Sequence, residues 1–243
     1  GEIAVADYSN KRVVFCSIDG DDRGNIPLRG CPCDMAPIQN DGNRLVVVDD
    51  TKYVKVFDAD KKLAFQFTTA PPWRKVSKTR VDLMSVAVKK DGTIIVGDVE
   101  RMVLTEHRPT NGSLISTIPV ETRPYYLAVD SHTDRVVISG LGQQVDVADT
   151  SRSGGANLVS TIKPTTDGQP VRYCYGVCSD SSGIYVALSN GDDDTGHIHH
   201  YDEDGEFLDC LAQGLHYPGG ITFTADGKLA VADFYSVKMY RRV

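Results

Sequence analysis

The chain has 243 residues, 41% of them hydrophobic, and 26 Lys and Arg against 33 Asp and Glu give it a formal charge of −7. That length can bury a sizeable core in one large all-β domain or two small ones. The acid excess argues against a protein that coats nucleic acid or acidic membrane uniformly, and no stretch approaches the ~18 consecutive apolar residues of a membrane-spanning helix.

In chain order, the first element is a strand, Ile3-Ala4-Val5-Ala6-Asp7. No basic-then-apolar signal pattern precedes it, so the expectation is a soluble chain; with no methionine in front, the material reads as a fragment. The same run returns as Leu45-Val46-Val47-Val48-Asp49, Ile94-Ile95-Val96-Gly97-Asp98, Val136-Val137-Ile138-Ser139-Gly140, Ile184-Tyr185-Val186-Ala187-Leu188 and Leu229-Ala230-Val231-Ala232-Asp233, with steps of 42, 49, 42, 48 and 45 residues. Each run is too short for a buried helix and rich in β-branched residues, as suits a strand buried on both faces.

Five of the six runs follow another apolar segment that ends in a turn, such as Val86-Ala87-Val88 before Asp91-Gly92, or Ile221-Thr222-Phe223 before Asp226-Gly227. Asp-Gly supplies the positive φ of a tight hairpin. Downstream lies an alternating strand, at residues 54–57, 197–201 and 237–240, and then a fourth, at 63–67, 114–118 and 207–211. Four antiparallel strands repeating every 40 to 50 residues or so describe a propeller blade. The expected fold is therefore all-β, a six-bladed β-propeller of four-stranded antiparallel blades, forming a single domain over residues 1–243. The first blade lacks its inner strand and the last its outer one, which predicts that residues before Gly1 supply both.

The stretch from Gly1 to Phe15 resembles the NHL repeat: a glycine, an apolar strand ending Val-x-Asp, a short turn here spelled Ser9-Asn10-Lys11-Arg12, and a Val-Val-Phe strand. Asp202-Glu203-Asp204-Gly205 is similar to the closing Asp-x-x-Gly of that family. The resemblance covers the whole chain and weakens in the fourth and fifth repeats, where Gly140 and Leu188 replace the strand-ending aspartate. It implies the C-terminal domain of a TRIM-type ubiquitin ligase, a module that binds a protein substrate or partner, with RING and B-box parts upstream and no ligase activity of its own.

Cys31-Pro32-Cys33 and Cys174-x-x-x-Cys178 lack the paired C-x-x-C spacing of structural zinc sites and belong to the second and fifth repeats. They read as small thiols on inner strands, and six cysteines in a chain of this length suit a reducing, cytoplasmic setting, with a secreted, disulfide-bonded chain as the alternative that the even count leaves open. His197 and His199 share a strand face, with Asp192, Asp193 and Asp194 close before them, but solvated residues on an outer strand explain these equally. Asp34 and Asp82 enter adjacent repeats, too few carboxylates for the calcium site of a propeller lactonase or lyase. No nucleophile elbow or phosphate loop stands in a suitable context. The expectation is no cofactor, no metal and no catalysis, with a metal-dependent lyase or lactonase as the enzyme alternative.

If strands run from inside to outside, inter-blade connections and second-to-third strand turns share one face. That face gathers Tyr8, Lys52, Trp73, Arg74, Lys75, Lys78, Arg80, Arg101, Arg123, Tyr125, Arg172, Tyr173, Tyr175, Tyr217 and Tyr235. The opposite face is richer in acids. Aromatics beside guanidinium groups suit a protein hot spot and also unstacked RNA bases. Protein recognition ranks first and RNA second; neither DNA nor membrane is expected. The strand-ending Asp7, Asp49, Asp98 and Asp233 are expected to bond to the backbone of their turns.

Overall fold

The computed structural model describes residues 2–38, 43–71, 78–130, 132–151, 155–191 and 195–241. It divides into two compact units, residues 1–124 and 125–243. Among the described residues each unit holds three antiparallel blade sheets in succession, six blades in all, and the second unit adds a small two-stranded sheet, which makes the chain an all-β protein with the architecture of a six-bladed β-propeller.

In the first unit, one sheet comprises β1 (Glu2–Asp7), β2 (Arg12–Ser17) and β3 (Asp22–Pro27). The second comprises β4 (Pro32–Ile38), β5 (Arg44–Asp49), β6 (Val54–Phe57) and β7 (Leu63–Phe67), and the third β8 (Leu83–Val88), β9 (Ile94–Asp98), β10 (Val103–His107) and β11 (Leu114–Pro119). The second unit opens with β12 (Tyr126–Val129), β13 (Val136–Ser139), β14 (Val145–Asp149) and β15 (Asn157–Ile162). A two-stranded hairpin, β16 (Thr165–Thr166) with β17 (Gln169–Pro170), leads to β18 (Tyr173–Asp180), β19 (Gly183–Ser189), β20 (Gly196–Tyr201) and β21 (Phe207–Leu215). The last sheet is β22 (Ile221–Phe223), β23 (Leu229–Ala232) and β24 (Val237–Tyr240). The terminal sheets have three strands each, as the repeat pattern predicts.

The recurring apolar run is the second strand of its blade, and its continuous hydrophobicity has a simple cause. Successive residues of a strand point to opposite faces, and both faces of a middle blade are covered. Val46 and Val48 pack toward the third sheet, against Leu83, Val86 and Val96, while Val47 packs toward the first, against Val13, Phe15 and Ile26. In the second unit Ile184, Val186 and Leu188 face the fourth sheet, and Tyr185 and Ala187 face the sixth. Each fully buried aliphatic of this kind contributes about 2 kcal/mol of transfer free energy.

Turns between first and second strands follow the predicted chemistry. Gly92 and Gly227 sit at φ +90° and +78°, and Asp134 takes φ 55° where the fourth repeat has no glycine. The Asp41-Gly42 turn lies outside the described residues. The fourth strands are open on one side and carry exposed apolar side chains, among them Leu63, Ile115, Leu158, Phe207 and Leu208.

Candidate functional site

The strand-ending aspartates organise the turns around them. Asp49 accepts the Thr51 N–H and pairs with Lys55 Nζ at 2.6 Å; Asp98 accepts the Asp82 and Arg101 N–H groups and pairs with Arg101 Nε at 2.6 Å. Asp233 accepts the Tyr235 and Ser236 N–H groups and pairs with Lys238, and Asp7 pairs with Arg12 at 2.8 Å. Burial raises the Asp233 carboxyl, but Lys238 and the two N–H donors outweigh it and hold the group below the usual range.

These turns reach the connections between blades, so the two kinds of loop do share a side within each unit. Lys52 Nζ donates to Thr79 O at 2.9 Å, and Arg101 donates to Thr69 Oγ1 at 2.8 Å. Arg101 is thereby tied into the scaffold as an ion-pair partner, with 18% of its side chain exposed. Tyr8, Lys78, Arg80 and Arg123 are exposed in the first unit. Trp73, Arg74 and Lys75 lie outside the described residues, as do Asp192, Asp193 and Asp194.

In the second unit the structure draws the predicted aromatics into one surface. Phe234 and Tyr235 form the tip of the β23–β24 turn and are 72% and 76% exposed. Asp233 fixes that tip through its hydrogen bonds, and the Phe234 N–H donates to His216 O at 2.9 Å. The His216 ring stacks on Tyr235 at 4.6 Å and meets Tyr217 edge-on at 4.9 Å. Tyr217 has a left-handed φ of 47°, unusual for a bulky residue, and its hydroxyl donates to Gly191 O at 2.8 Å. Gly191 in turn lies against Tyr173 and Arg172. Arg172 caps the Tyr173 ring at 5.6 Å, and Tyr175 sits between Tyr173 and Tyr126 at 6.0 and 6.4 Å. Burial, then Tyr173 and Tyr217, pushes the Tyr175 phenol up, so it stays a neutral donor. Tyr125 is half-buried and donates its N–H to Ser139 O. His216, which the sequence reading did not include, and Phe234, which adjoins Tyr235 in the same turn, also belong to the surface.

The predicted inner-strand groups are occupied otherwise. Asp34 accepts the Met35 N–H at 2.8 Å and the Val86 N–H at 2.9 Å, linking β4 to β8, and burial pushes its carboxyl up to about 7 despite both donors. Burial, then Asp98 and Glu100, raises Asp82 as well. All six cysteines are free thiols. Burial pushes Cys174 up to about 12, and burial with the nearby aspartates does the same to Cys33. Such thiols are neutral and unreactive at neutral pH. Among the described residues one group of three side chains converges with metal-ligand geometry: His197, His199 and Cys210. Cys210 was absent from the sequence reading of this histidine run.

No family matches the chain, and no curated protein matches it. Solved structures do. A streptogramin B lyase is 13% identical with a TM-score of 0.66 over 98% of this chain and 76% of its own. A protein of unknown function from Bacteroides caccae is 11% identical with a TM-score of 0.66, over 96% and 82%. BBS1N, in complex with ARL6DN, is 17% identical with a TM-score of 0.62, over 98% and 72%. At these identities the likeness is one of fold, and it agrees with the propeller built up strand by strand above.

Proposed function

We infer that this chain is a recognition module that binds a protein partner through the aromatic surface around His216, Tyr217, Phe234 and Tyr235. The observation that carries the reading is the pair Phe234 and Tyr235, two large rings held in solvent by a hydrogen-bonded turn. Pre-ordered aromatics of this kind lose little conformational entropy on binding and supply most of the energy of a hot spot. The NHL-like repeats support a setting at the end of a cytoplasmic TRIM-type ubiquitin ligase, with this chain choosing the substrate and upstream parts transferring ubiquitin. BBS1N, a neighbour of the same fold, is itself in complex with a protein.

The double variant Phe234→Ala/Tyr235→Ala tests the reading. Both side chains are exposed, so stability should change by less than about 0.5 kcal/mol. Proximity labelling in cells should show partners captured by the parent chain and lost by the variant; an unchanged set of partners would sink the proposal. The Arg172–Tyr173 stack favours RNA as the second reading, since a base could slide onto the same platform. Reading the coding sequence upstream of Gly1 for a RING signature tests the ligase setting.

A further inference from the structure

Strands β20 and β21 pair less regularly than the outer strands of any other sheet. Their register shifts at three places, between Gly196 and Ile198, Ile198 and His199, and His200 and Tyr201. The pairs β2–β3, β6–β7, β10–β11 and β14–β15 each shift once. Bulges re-aim side chains and gather beside functional sites. Here they set Cys210 opposite His199, and a ring nitrogen of His197, one of His199 and Cys210 Sγ all lie within 4.8 Å of one another.

The histidines also stand where other blades carry something else. His199 pairs with Val186 of β19, the register position that Lys55 holds against Val47 and Lys238 against Val231. Those two lysines bind the strand-ending Asp49 and Asp233. In this blade Leu188 replaces the aspartate, so no acid at the strand end calls for a cation. The ion pair of the repeat has been exchanged for two imidazoles and a thiol.

We propose that His197, His199 and Cys210 bind a zinc ion. Imidazole and thiolate are zinc's usual donors, and with Zn–N near 2.0 Å and Zn–S near 2.3 Å a tetrahedral site separates N from S by about 3.6 Å. Cys210 Sγ is already 3.8 Å from His197 Nδ1. The remaining spread closes by rotation of His197, which is half-buried. The Tyr201 hydroxyl lies 3.1 Å from His199 Nδ1, orienting the ring and leaving Nε2 to take the metal. Gln213 Nε2 donates to Cys210 Sγ at 3.5 Å. The Phe207 ring stands edge-on to His199 at 5.0 Å. Three protein ligands leave one coordination position for water or a ligand, as in sites where the metal takes part in binding or chemistry.

The test is zinc titration of the whole 243-residue chain against a chromophoric chelator, with metal content measured after gel filtration. One zinc per chain is expected, and cobalt(II) in its place should show a thiolate charge-transfer band. Cys210→Ser should abolish that band, and both Cys210→Ser and His197→Gln should weaken zinc binding by at least about 100-fold. His200→Gln is the control: His200 stacks on Tyr185 at 4.2 Å and bonds Ser182 O, outside the triad, and should keep the metal. Circular dichroism establishes that each variant is folded; if Cys210→Ser is not, His197→Gln carries the comparison. Less than stoichiometric zinc in the parent chain, affinity unchanged in the folded variants, or uptake of copper(I) with indifference to zinc would each overturn the assignment.

Discussion

The Asp49 carboxylate is fully buried and the Lys55 side chain 10% exposed, and the two charges pair at 2.6 Å. Removing one partner strands the other in a low-dielectric interior. Asp49→Ala should cost about 3–5 kcal/mol in urea unfolding, and the apolar double variant Asp49→Leu/Lys55→Met should recover most of it. A double variant as unstable as the single would mean that the pair does more than neutralise itself. His107 and Asp34 test burial in opposite senses. His107 Nδ1–H donates to Gly112 O at 3.0 Å, so Nε2 accepts the Thr105 hydroxyl, and burial lowers its pKa to about 4. The neutral ring is favoured in the fold; its contribution is whole above pH 6.5, the ordinary value, and falls away toward pH 4, by at most about 3 kcal/mol. Asp34 has a raised pKa near 7, so its penalty grows as pH rises from 3.8 to about 7. In melting curves between pH 4 and 7, His107→Gln should steepen the loss of stability with rising pH, and Asp34→Asn should expose the loss on the acid side. Profiles parallel to the parent's in both variants would refute these roles.

At the level of strands, neighbouring blades are stitched by close approaches on their inner strands. Gly176 N–H donates to Gly219 O at 2.9 Å, and a Cβ on Gly176 would stand 2.0 Å from that same oxygen. Gly176→Ala must therefore push β18 away from the segment entering β22 and should cost more than about 2 kcal/mol in chemical denaturation, whereas Gly142→Ala, with open space around it, should be neutral or slightly stabilising. Equal effects at the two positions would show that the contact is not tight. The second strands were legible from residues alone because burial on both faces writes an unbroken apolar run, as in Val46, Val47 and Val48. The β16–β17 hairpin was not, since two-residue polar strands carry no periodicity. Nor was the fate of Arg101: that it serves Asp98 and Thr69 depends on turn geometry three residues past a strand end. Cys210 escaped for a related reason, because its position opposite His199 is set by bulges that no alternation pattern encodes.

For the molecule as a binding partner, charge and aromatic character make different demands on solution conditions. Recognition anchored on Phe234 and Tyr235 should weaken by less than about tenfold between 50 and 200 mM salt, whereas a surface that neutralises six or more phosphates would lose about 10³-fold. Fluorescence anisotropy against captured partners and against single-stranded RNA separates the two. The exposed apolar residues of the fourth strands bear on another property. Leu63, Ile115, Leu158, Phe207 and Leu208 lie on open strand edges, where unpaired N–H and C=O groups can accept a strand from another copy. At neutral pH the charge of −7 keeps copies apart. Near the isoelectric point of about 5.3 that repulsion vanishes while the sticky edges remain, so solutions should turn cloudy there and clear again when titrated back toward neutrality.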